Sequence, residues 1–191
     1  MRRIRIVVAY DGTNYCGWQV QKNGETIESV LNRAIGELTG EEIHVMGSSR
    51  TDSGVHALGN VAVFDTESRI PGDRFAYALN QKMPEDIVIV RSDEVQIDWH
   101  PRYQNEISKT YEYHIYNAKV RNPLKNRYST FVSFDLDVEK MRQGAKYILG
   151  EHDFASFCNV RTNAKDTVRT VHEITITEIP MDKFQASNWG Q

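Results

Sequence analysis

The first hundred residues alternate between two hydrophobic periodicities, and this alternation restricts the fold more than any other feature. In some segments apolar residues recur at every second position, the period of a strand with one buried face. In others they recur at helical spacing. Strands are predicted over residues 3–9, Ile43–Met46, 60–65 and Ile87–Val90, and helices over Thr26–Leu38 and Asp73–Met83.

The predicted order is β-α-β-β-α-β, which is the split βαβ or ferredoxin-like arrangement. The rest of the chain predicts a strand at Ile107–Asn117, a helix at Val138–Leu149 and a strand at Val168–Ile179. We therefore predict an α+β fold with two ferredoxin-like (RRM-like) halves around a mainly antiparallel sheet. The halves are residues 1–103 and 104–191, and the second is expected to be truncated because its remaining β-α-β is not in this sequence.

Composition excludes several classes of protein. No apolar run approaches the roughly 18 residues of a membrane span. Cys16 and Cys158 are far apart and lack metal-ligand spacing, which favours a reducing cytoplasm over a disulfide framework. The six histidines lack the paired spacing of a zinc site. No phosphate-binding glycine loop of the P-loop or dinucleotide type is present.

The net charge of −3 hides a basic, aromatic segment from Arg102 to Arg127. This segment contains six basic residues against two acidic ones, with four tyrosines interleaved. Such a surface can meet phosphates and offer rings for stacking on bases. A solvated strand and loop explains the same composition, and composition alone favours that interpretation.

A short polar stretch, Gly47–Ala57, lies between two predicted strands and is dense in small residues that let a substrate approach the backbone. In it, Asp52 is a candidate nucleophile or general base, and Arg50 can hold that carboxylate ionised or contact a phosphate. An ordinary β-turn is the structural alternative. A hydrolase built on Ser53 and His56 is disfavoured because no Gly-x-Ser-x-Gly nucleophile elbow exists.

These residues resemble the tRNA pseudouridine synthases of the TruA type. The resemblance rests on motifs spread along the chain to about Ile179, the most specific of which surrounds Asp52. The matching motifs are Tyr10-Asp11-Gly12, Gly17-Trp18-Gln19, Ser49-Arg50-Thr51-Asp52-Ser53-Gly54-Val55-His56-Ala57, Leu79-Asn80, Met83-Pro84, Lys109-Thr110-Tyr111-Glu112-Tyr113, Gly150-Glu151-His152-Asp153-Phe154 and Val168-Arg169.

The resemblance implies isomerisation of uridine to pseudouridine in the anticodon stem-loop of tRNA, at tRNA positions 38, 39 and 40, without a cofactor or metal. Asp52 would be the essential aspartate, attacking the ribose at C1′ or removing the C2′ proton. Tyr111 would stack on the target base and help move a proton. Arg50 would help extrude the nucleotide, which must leave the helical stack before its glycosidic bond can be reached.

The resemblance also implies a cytoplasmic homodimer that acts on the anticodon arm of tRNA and uses neither membrane nor DNA. Ser49 stands where the family has glycine, and Asn60 where it usually has glutamine. The family's closing Met-Val-Arg motif, whose arginine is expected to pair with the aspartate, does not match residues 180–191. A sheet edge left open at that end predicts self-association. A catalytically impaired or non-catalytic RNA-binding protein on the same scaffold is the alternative.

Overall fold

The computed structural model describes residues 1–103, 108–158 and 166–179. The chain forms two compact units, Met1–Glu112 and Tyr113–Gln191. The first unit contains four strands and two α-helices in the predicted order. These elements are β1 (Arg2–Tyr10), α1 (Ile27–Thr39), β2 (Met46–Gly47), β3 (Ala57–Thr66), α2 (Phe75–Asn80) and β4 (Ile87–Val95), with short 3-10 helices at Gly12–Asn14 and Gly72–Arg74.

The four strands of this unit form one sheet in the order β2-β3-β1-β4, and every neighbouring pair is antiparallel. The fold is therefore a mixed arrangement of helices and a mainly antiparallel sheet, as predicted. Strand β1 lies at the centre, and its register sets Ile4 opposite Phe64 and Ile6 opposite Ala62. Because β1 and β3 run in opposite directions, the carboxyl end of β1 and the amino end of β3 lie side by side at the same end of the sheet.

Helix α1 begins and ends where its sequence predicts. The Thr26 side chain accepts the backbone N–H of Ser29, and the Ser29 side chain in turn accepts the backbone N–H of Thr26, so the pair forms a capping box. Gly40 ends the helix in the left-handed conformation, with φ of 75°, where a residue without Cβ carries no steric penalty.

The core lies between one face of the sheet and the two helices. Side chains from β1, β3, β4, α1, α2 and the loop before α1 are almost completely buried there, and each contributes about 1.5–3 kcal/mol relative to exposure to water. The largest of them are Ile4, Ile6, Val8, Trp18, Ile27, Leu31, Ile35, Phe64, Phe75, Leu79, Ile87 and Ile89.

The opposite face of the sheet carries ion pairs across neighbouring strands. Arg3 donates from two nitrogens to the carboxylate of Asp65, at 2.7 and 2.8 Å, and Arg5 does the same to Asp93, at 3.0 and 2.6 Å. Each pair joins residues that the register places directly opposite one another. These bidentate contacts strengthen the register that the buried face already specifies.

The second unit contains shorter elements than the sequence predicts. They are β5 (Ile115–Asn117), β6 (Thr130–Val132), α3 (Val138–Ala145), β7 (Gly150–Asp153) and β8 (Val168–Val171). Strands β5 and β6 pair in parallel, and β7 and β8 pair antiparallel, as two separate two-stranded sheets.

Three predicted elements of this unit are wrong in extent. The predicted strand at Ile107–Asn117 is observed only as β5, and Ile107 itself lies outside the described residues. The predicted helix Val138–Leu149 ends at Ala145, and the predicted strand Val168–Ile179 ends at Val171. Strand β8 stops there because β7 offers partners for four residues alone, from Gly150 to Asp153.

No helix within the described residues has the length and apolar character needed to cross a bilayer.

Candidate active site

The stretch that carries Asp52 forms a loop between β2 and β3, at the end of the sheet where β1 finishes. Asp52 is exposed, and its backbone carbonyl accepts the N–H of Val55 at 3.2 Å, which closes a tight turn at Ser53 and Gly54. Within the described part of the chain, no group donates to the Asp52 carboxylate or forms an ion pair with it. Both carboxylate oxygens are therefore open to a substrate.

The residues on either side of Asp52 are held by the loop that follows β1. The backbone N–H of Trp18 donates to the carbonyl of Thr51 at 3.0 Å. The carbonyl of Tyr15 accepts both the Ser53 hydroxyl, at 3.1 Å, and the Gly54 N–H, at 3.3 Å. These bonds hold the backbone immediately before and after Asp52, so the loop presents its carboxylate in a restricted position.

Two glycines allow the two loops to approach this closely. A Cβ on Gly12 would lie 2.0 Å from the carbonyl oxygen of Val55, and one on Gly17 would lie 2.5 Å from that of Thr51. Gly17 also has φ of +85°, a conformation that residues with a Cβ rarely adopt. The Tyr10-Asp11-Gly12 and Gly17-Trp18-Gln19 motifs therefore support the loop that carries Asp52 through their backbones.

A buried polar network supports the loop from the sheet. The hydroxyl of Tyr10, the last residue of β1, lies 2.9 Å from Thr51 Oγ1. The Asn60 amide donates to the carbonyl of Ser49, at 3.1 Å, and more weakly to the Tyr10 hydroxyl, at 3.4 Å, and it accepts from the Ser48 hydroxyl at 3.1 Å. Burial raises the pKa of Tyr10 above its ordinary value, which keeps this hydroxyl protonated.

Tyr15 is fixed at its other end by Asp86, which lies just before β4. The Tyr15 hydroxyl donates to Asp86 Oδ1 at 2.5 Å, and the Asn14 amide donates to Asp86 Oδ2 at 3.2 Å. Burial of the phenol and its bond to the carboxylate raise the pKa of Tyr15 well above its ordinary value. The neutral tyrosine thus links Asp86 to Ser53 and Gly54, which both donate to its carbonyl.

The three predicted site residues are not all brought together. Arg50 is exposed on the same loop as Asp52, two residues before it, and it has no ion-pair partner in the described ranges. Tyr111 is 69% exposed, and no described hydrogen bond or ring contact joins it to Asp52 or Arg50. Its neighbour Lys109 reaches the start of the loop, where Nζ lies 3.4 Å from the carbonyl of Ser48.

A serine hydrolase site does not form at Ser53 and His56. The Ser53 hydroxyl donates to the Tyr15 carbonyl instead of a histidine. His56 Nδ1 accepts the backbone N–H of Gly12 at 3.1 Å and lies 3.0 Å from the Asp11 carboxylate. Among the described residues, no three His, Cys, Asp or Glu side chains gather as ligands for a metal ion.

Sequence reasoning assigned no role to Tyr10, Tyr15, Asn60 or Asp86. Each acts on the loop from a distant part of the chain, so no local spacing identifies it. A hydroxyl or amide at a position whose periodicity predicts burial, as at Tyr10 and Asn60, is the one available signal, because a buried polar group needs a partner.

Comparison with known proteins places the chain in a family. A family model described as tRNA pseudouridine synthase matches residues 6–104 and 145–187. The chain is 47% identical over its full length to tRNA pseudouridine synthase A of Acetivibrio thermocellus, and covers 78% of that protein. It is 45% identical over 94% of its length to tRNA pseudouridine synthase A of Brevibacillus brevis, and covers 73% of that protein. It is 48% identical over 92% of its length to tRNA pseudouridine synthase A 2 of Clostridium tetani, and covers 71% of that protein.

Proposed function

The chain belongs to the tRNA pseudouridine synthase family, and on that premise we propose that Asp52 is the carboxylate with which it isomerises uridine in the anticodon arm of tRNA. The enzyme is an isomerase that converts uridine in tRNA to pseudouridine. The reaction cuts the glycosidic N–C bond, turns the uracil and forms a C–C bond. The observation that carries the role of Asp52 is its open carboxylate between two flanks held by hydrogen bonds.

Asp52 suits either form of carboxylate chemistry, attack at the ribose C1′ or removal of the C2′ proton. Both need an ionised oxygen within bonding distance of a ribose atom, and both benefit from a position set before the substrate arrives. The bonds from Trp18 to Thr51 and from Ser53 and Gly54 to Tyr15 restrict the backbone around this carboxylate. The loop therefore needs little reorganisation when the nucleotide enters.

Arg50 and Tyr111 are proposed to handle the target nucleotide. The exposed guanidinium of Arg50 can occupy the space that the extruded base leaves in the stack. The exposed ring of Tyr111 can stack on the uracil, since aromatic side chains receive bases that have left a helix. The contact from Lys109 to the catalytic loop supports this role, because it brings the segment that carries Tyr111 to the start of that loop.

We further propose the ferredoxin-like arrangement for the residue 1–103 half and, as its partner, a residue 104–191 half. The order β2-β3-β1-β4 with antiparallel neighbours supports the first proposal. A cytoplasmic homodimer is also proposed. The exposed valines Val88 and Val90 on the edge strand β4 support self-association, and a monodisperse monomer by light scattering would contradict it.

The test of the catalytic proposal is tritium release from a tRNA transcript labelled at uridine C5. We expect release with the unaltered chain and none with Asp52→Asn, which keeps the shape of the side chain and removes its charge. Binding of tRNA to Asp52→Asn, measured by filter retention, should stay within about twofold, because an exposed carboxylate without a partner contributes little to affinity.

Two results would change this conclusion. Release that survives Asp52→Asn would remove Asp52 from the reaction. Binding of tRNA without any release from the unaltered chain would favour the alternative, a non-catalytic RNA-binding protein. Transcripts in which each uridine of the anticodon arm is replaced in turn by cytidine then identify the modified position. Tritium release from a transcript that lacks all of these uridines would exclude the anticodon arm as the site of modification.

A further inference from the structure

A pocket of about 210 Å³ opens beside the catalytic loop, next to the short edge strand β2. Trp18, His44, Gly47, Arg50 and Arg102 are among the residues that line it. All of them belong to the first unit. The reaction attributed to Asp52 makes no use of this pocket except through Arg50, so its other groups have no assigned role.

Two guanidinium groups supply the pocket with unused donors. Arg102 Nε donates to the carbonyl of Gly47 at 2.9 Å, which fixes the side chain on the pocket wall. Its two terminal nitrogens have no acceptor among the described residues, and neither has the Arg50 guanidinium. The acid that lines the pocket, Glu28, accepts the backbone N–H of Val20 at 2.8 Å. Arg50, Arg102 and Glu28 together give the lining one net positive charge, in a chain whose net charge is −3.

Trp18 adds an independent observation. It is 1% exposed, yet its indole N–H has no acceptor in the described part of the chain. The Nε1 edge of the ring lies beside Gly47, where an added Cβ would be 2.5 Å from Nε1, and both residues line the pocket. Among the described residues, the fully enclosed side-chain atom that lacks a partner is Arg2 Nε, so the Trp18 N–H is not sealed off by protein and is a further donor that a group bound in the pocket can use.

We propose that this pocket binds a phosphodiester of the RNA backbone next to the target uridine, with Arg102 as the main cation and Trp18 Nε1 as a neutral donor. A phosphate suits the pocket because it carries a negative charge and several acceptor oxygens, which match paired guanidinium donors. The proposal rests on the proposed function, since it assigns the pocket to the same tRNA that Asp52 modifies. It gives Arg102 a role in positioning the nucleotide for that carboxylate.

The proximity of Arg50 to both sites explains how one phosphate contact would assist the reaction. Arg50 lines the pocket and lies two residues before Asp52 in the same loop. A phosphate held between Arg50 and Arg102 would therefore be a fixed point for the backbone beside the extruded nucleotide. Contacts to phosphates set register and orientation without reading sequence.

The first experiment measures the affinity of an anticodon stem-loop RNA as a function of salt. Arg102→Gln should weaken binding roughly tenfold near 0.1 M salt, the effect of losing one charge-assisted bond. The slope of log K against log salt should fall in magnitude by about 0.7 to 0.9, the contribution of one phosphate contact. The control is Arg69→Gln, which makes the same change of charge on an exposed residue beyond the far end of β3 and should leave the slope unchanged.

The second experiment identifies the phosphate. RNAs that carry a single uncharged methylphosphonate at successive positions are bound to the unaltered chain and to Arg102→Gln. One position should weaken binding to the unaltered chain and have little further effect on the variant, because the two changes remove the same contact. The Trp18 indole N–H resonance should shift on binding the normal RNA and shift less with the methylphosphonate at that position.

The outcomes separate this proposal from the proposed function. Tritium release by the unaltered chain, together with equal salt slopes for Arg102→Gln and Arg69→Gln, would overturn the pocket proposal and leave the isomerase intact. Additive effects of Arg102→Gln and the methylphosphonate at every position would also overturn it. Thermal unfolding of each variant shows whether a loss reflects misfolding, and Arg102→Lys, which keeps the charge, should retain most of the salt slope.

Discussion

The hydroxyl of Tyr15 donates a 2.5 Å hydrogen bond to the carboxylate of Asp86, 71 residues further along the chain. The same tyrosine accepts the Ser53 hydroxyl and the Gly54 N–H on its carbonyl. The position of the loop that carries Asp52 thus depends on Asp86, which lies outside that loop and acts on it through Tyr15.

Replacing Asp86 by alanine should lower kcat while KM for tRNA changes little. The change leaves the buried Tyr15 hydroxyl unpaired, which costs about 1–3 kcal/mol of unfolding free energy and loosens the loop. Steady-state tritium release measures both constants. Asp86→Asn keeps an acceptor and should recover much of kcat, and Glu85→Ala, at the exposed neighbouring position, should behave as the unaltered chain. A rise in KM with constant kcat would place Asp86 on the RNA instead.

Alkaline pH should destabilise the fold through the buried tyrosines. Burial raises the pKa of Tyr10, and burial together with Asp86 raises that of Tyr15, so the folded state keeps both phenols protonated where the unfolded state ionises. The free energy that these two tyrosines add to folding stability is complete below about pH 10, the pKa of tyrosine in the unfolded chain. It is lost as the pH rises through the higher pKa values of the folded state. Urea unfolding between pH 8 and 11 measures it. Tyr15→Phe should flatten the decline, whereas Tyr77→Phe, at an exposed tyrosine, should not.

Two glycines with positive φ should respond differently to alanine. In Gly40→Ala, at the end of α1, the added Cβ has no neighbouring atom within 4 Å. The free energy of unfolding should therefore fall by about 1 kcal/mol, the cost of the left-handed conformation alone. Gly17→Ala carries the same cost and also drives a Cβ towards the carbonyl of Thr51. We expect a larger loss of stability and a roughly 10- to 100-fold fall in kcat, because the residue next to Asp52 must move. Equal kcat for the two variants would contradict this account.

The buried amide of Asn60 should matter for catalysis beyond its effect on stability. Asn60→Leu leaves the Ser48 hydroxyl and the Ser49 carbonyl without their partner, at a cost of about 1–3 kcal/mol. Asn80→Leu is a matched control, because the Asn80 amide bonds the backbone of Ile89, at 2.9 and 2.8 Å, away from the loop. Both variants should unfold at a lower urea concentration than the unaltered chain. Only Asn60→Leu should also lower kcat of the folded enzyme.

Elements whose signals are local were predicted closely. Helix α1 carries its own cap at Thr26, its apolar stripe and its terminating Gly40, all within a few residues of where they act. Strand β1 has a clear two-residue period and a single buried face. In both, nearby residues supply the interactions that decide where the element lies.

Other boundaries depend on distant partners and were predicted less well. The predicted strand Ile43–Met46 is observed as Met46–Gly47, because the N–H of Val45 donates to the Asn32 side chain instead of a neighbouring strand. The predicted helix Asp73–Met83 ends at Asn80, whose amide bonds the backbone of Ile89. Strand β4 runs on to Val95 because β1 offers pairing partners as far as Arg3.

The same division holds for the site. The sequence by itself pointed to the loop and to the candidate residues Arg50 and Asp52, because their motif is contiguous and specific. Only the tertiary structure decided what holds that loop. Asn60 and Tyr15 bond it across 11 and 38 residues, and Asp86 in turn fixes Tyr15 across 71 residues. It also decided that Trp18 and Arg102 line one pocket. Sequence spacing cannot give such contacts, because they depend on which strands pair and in which register.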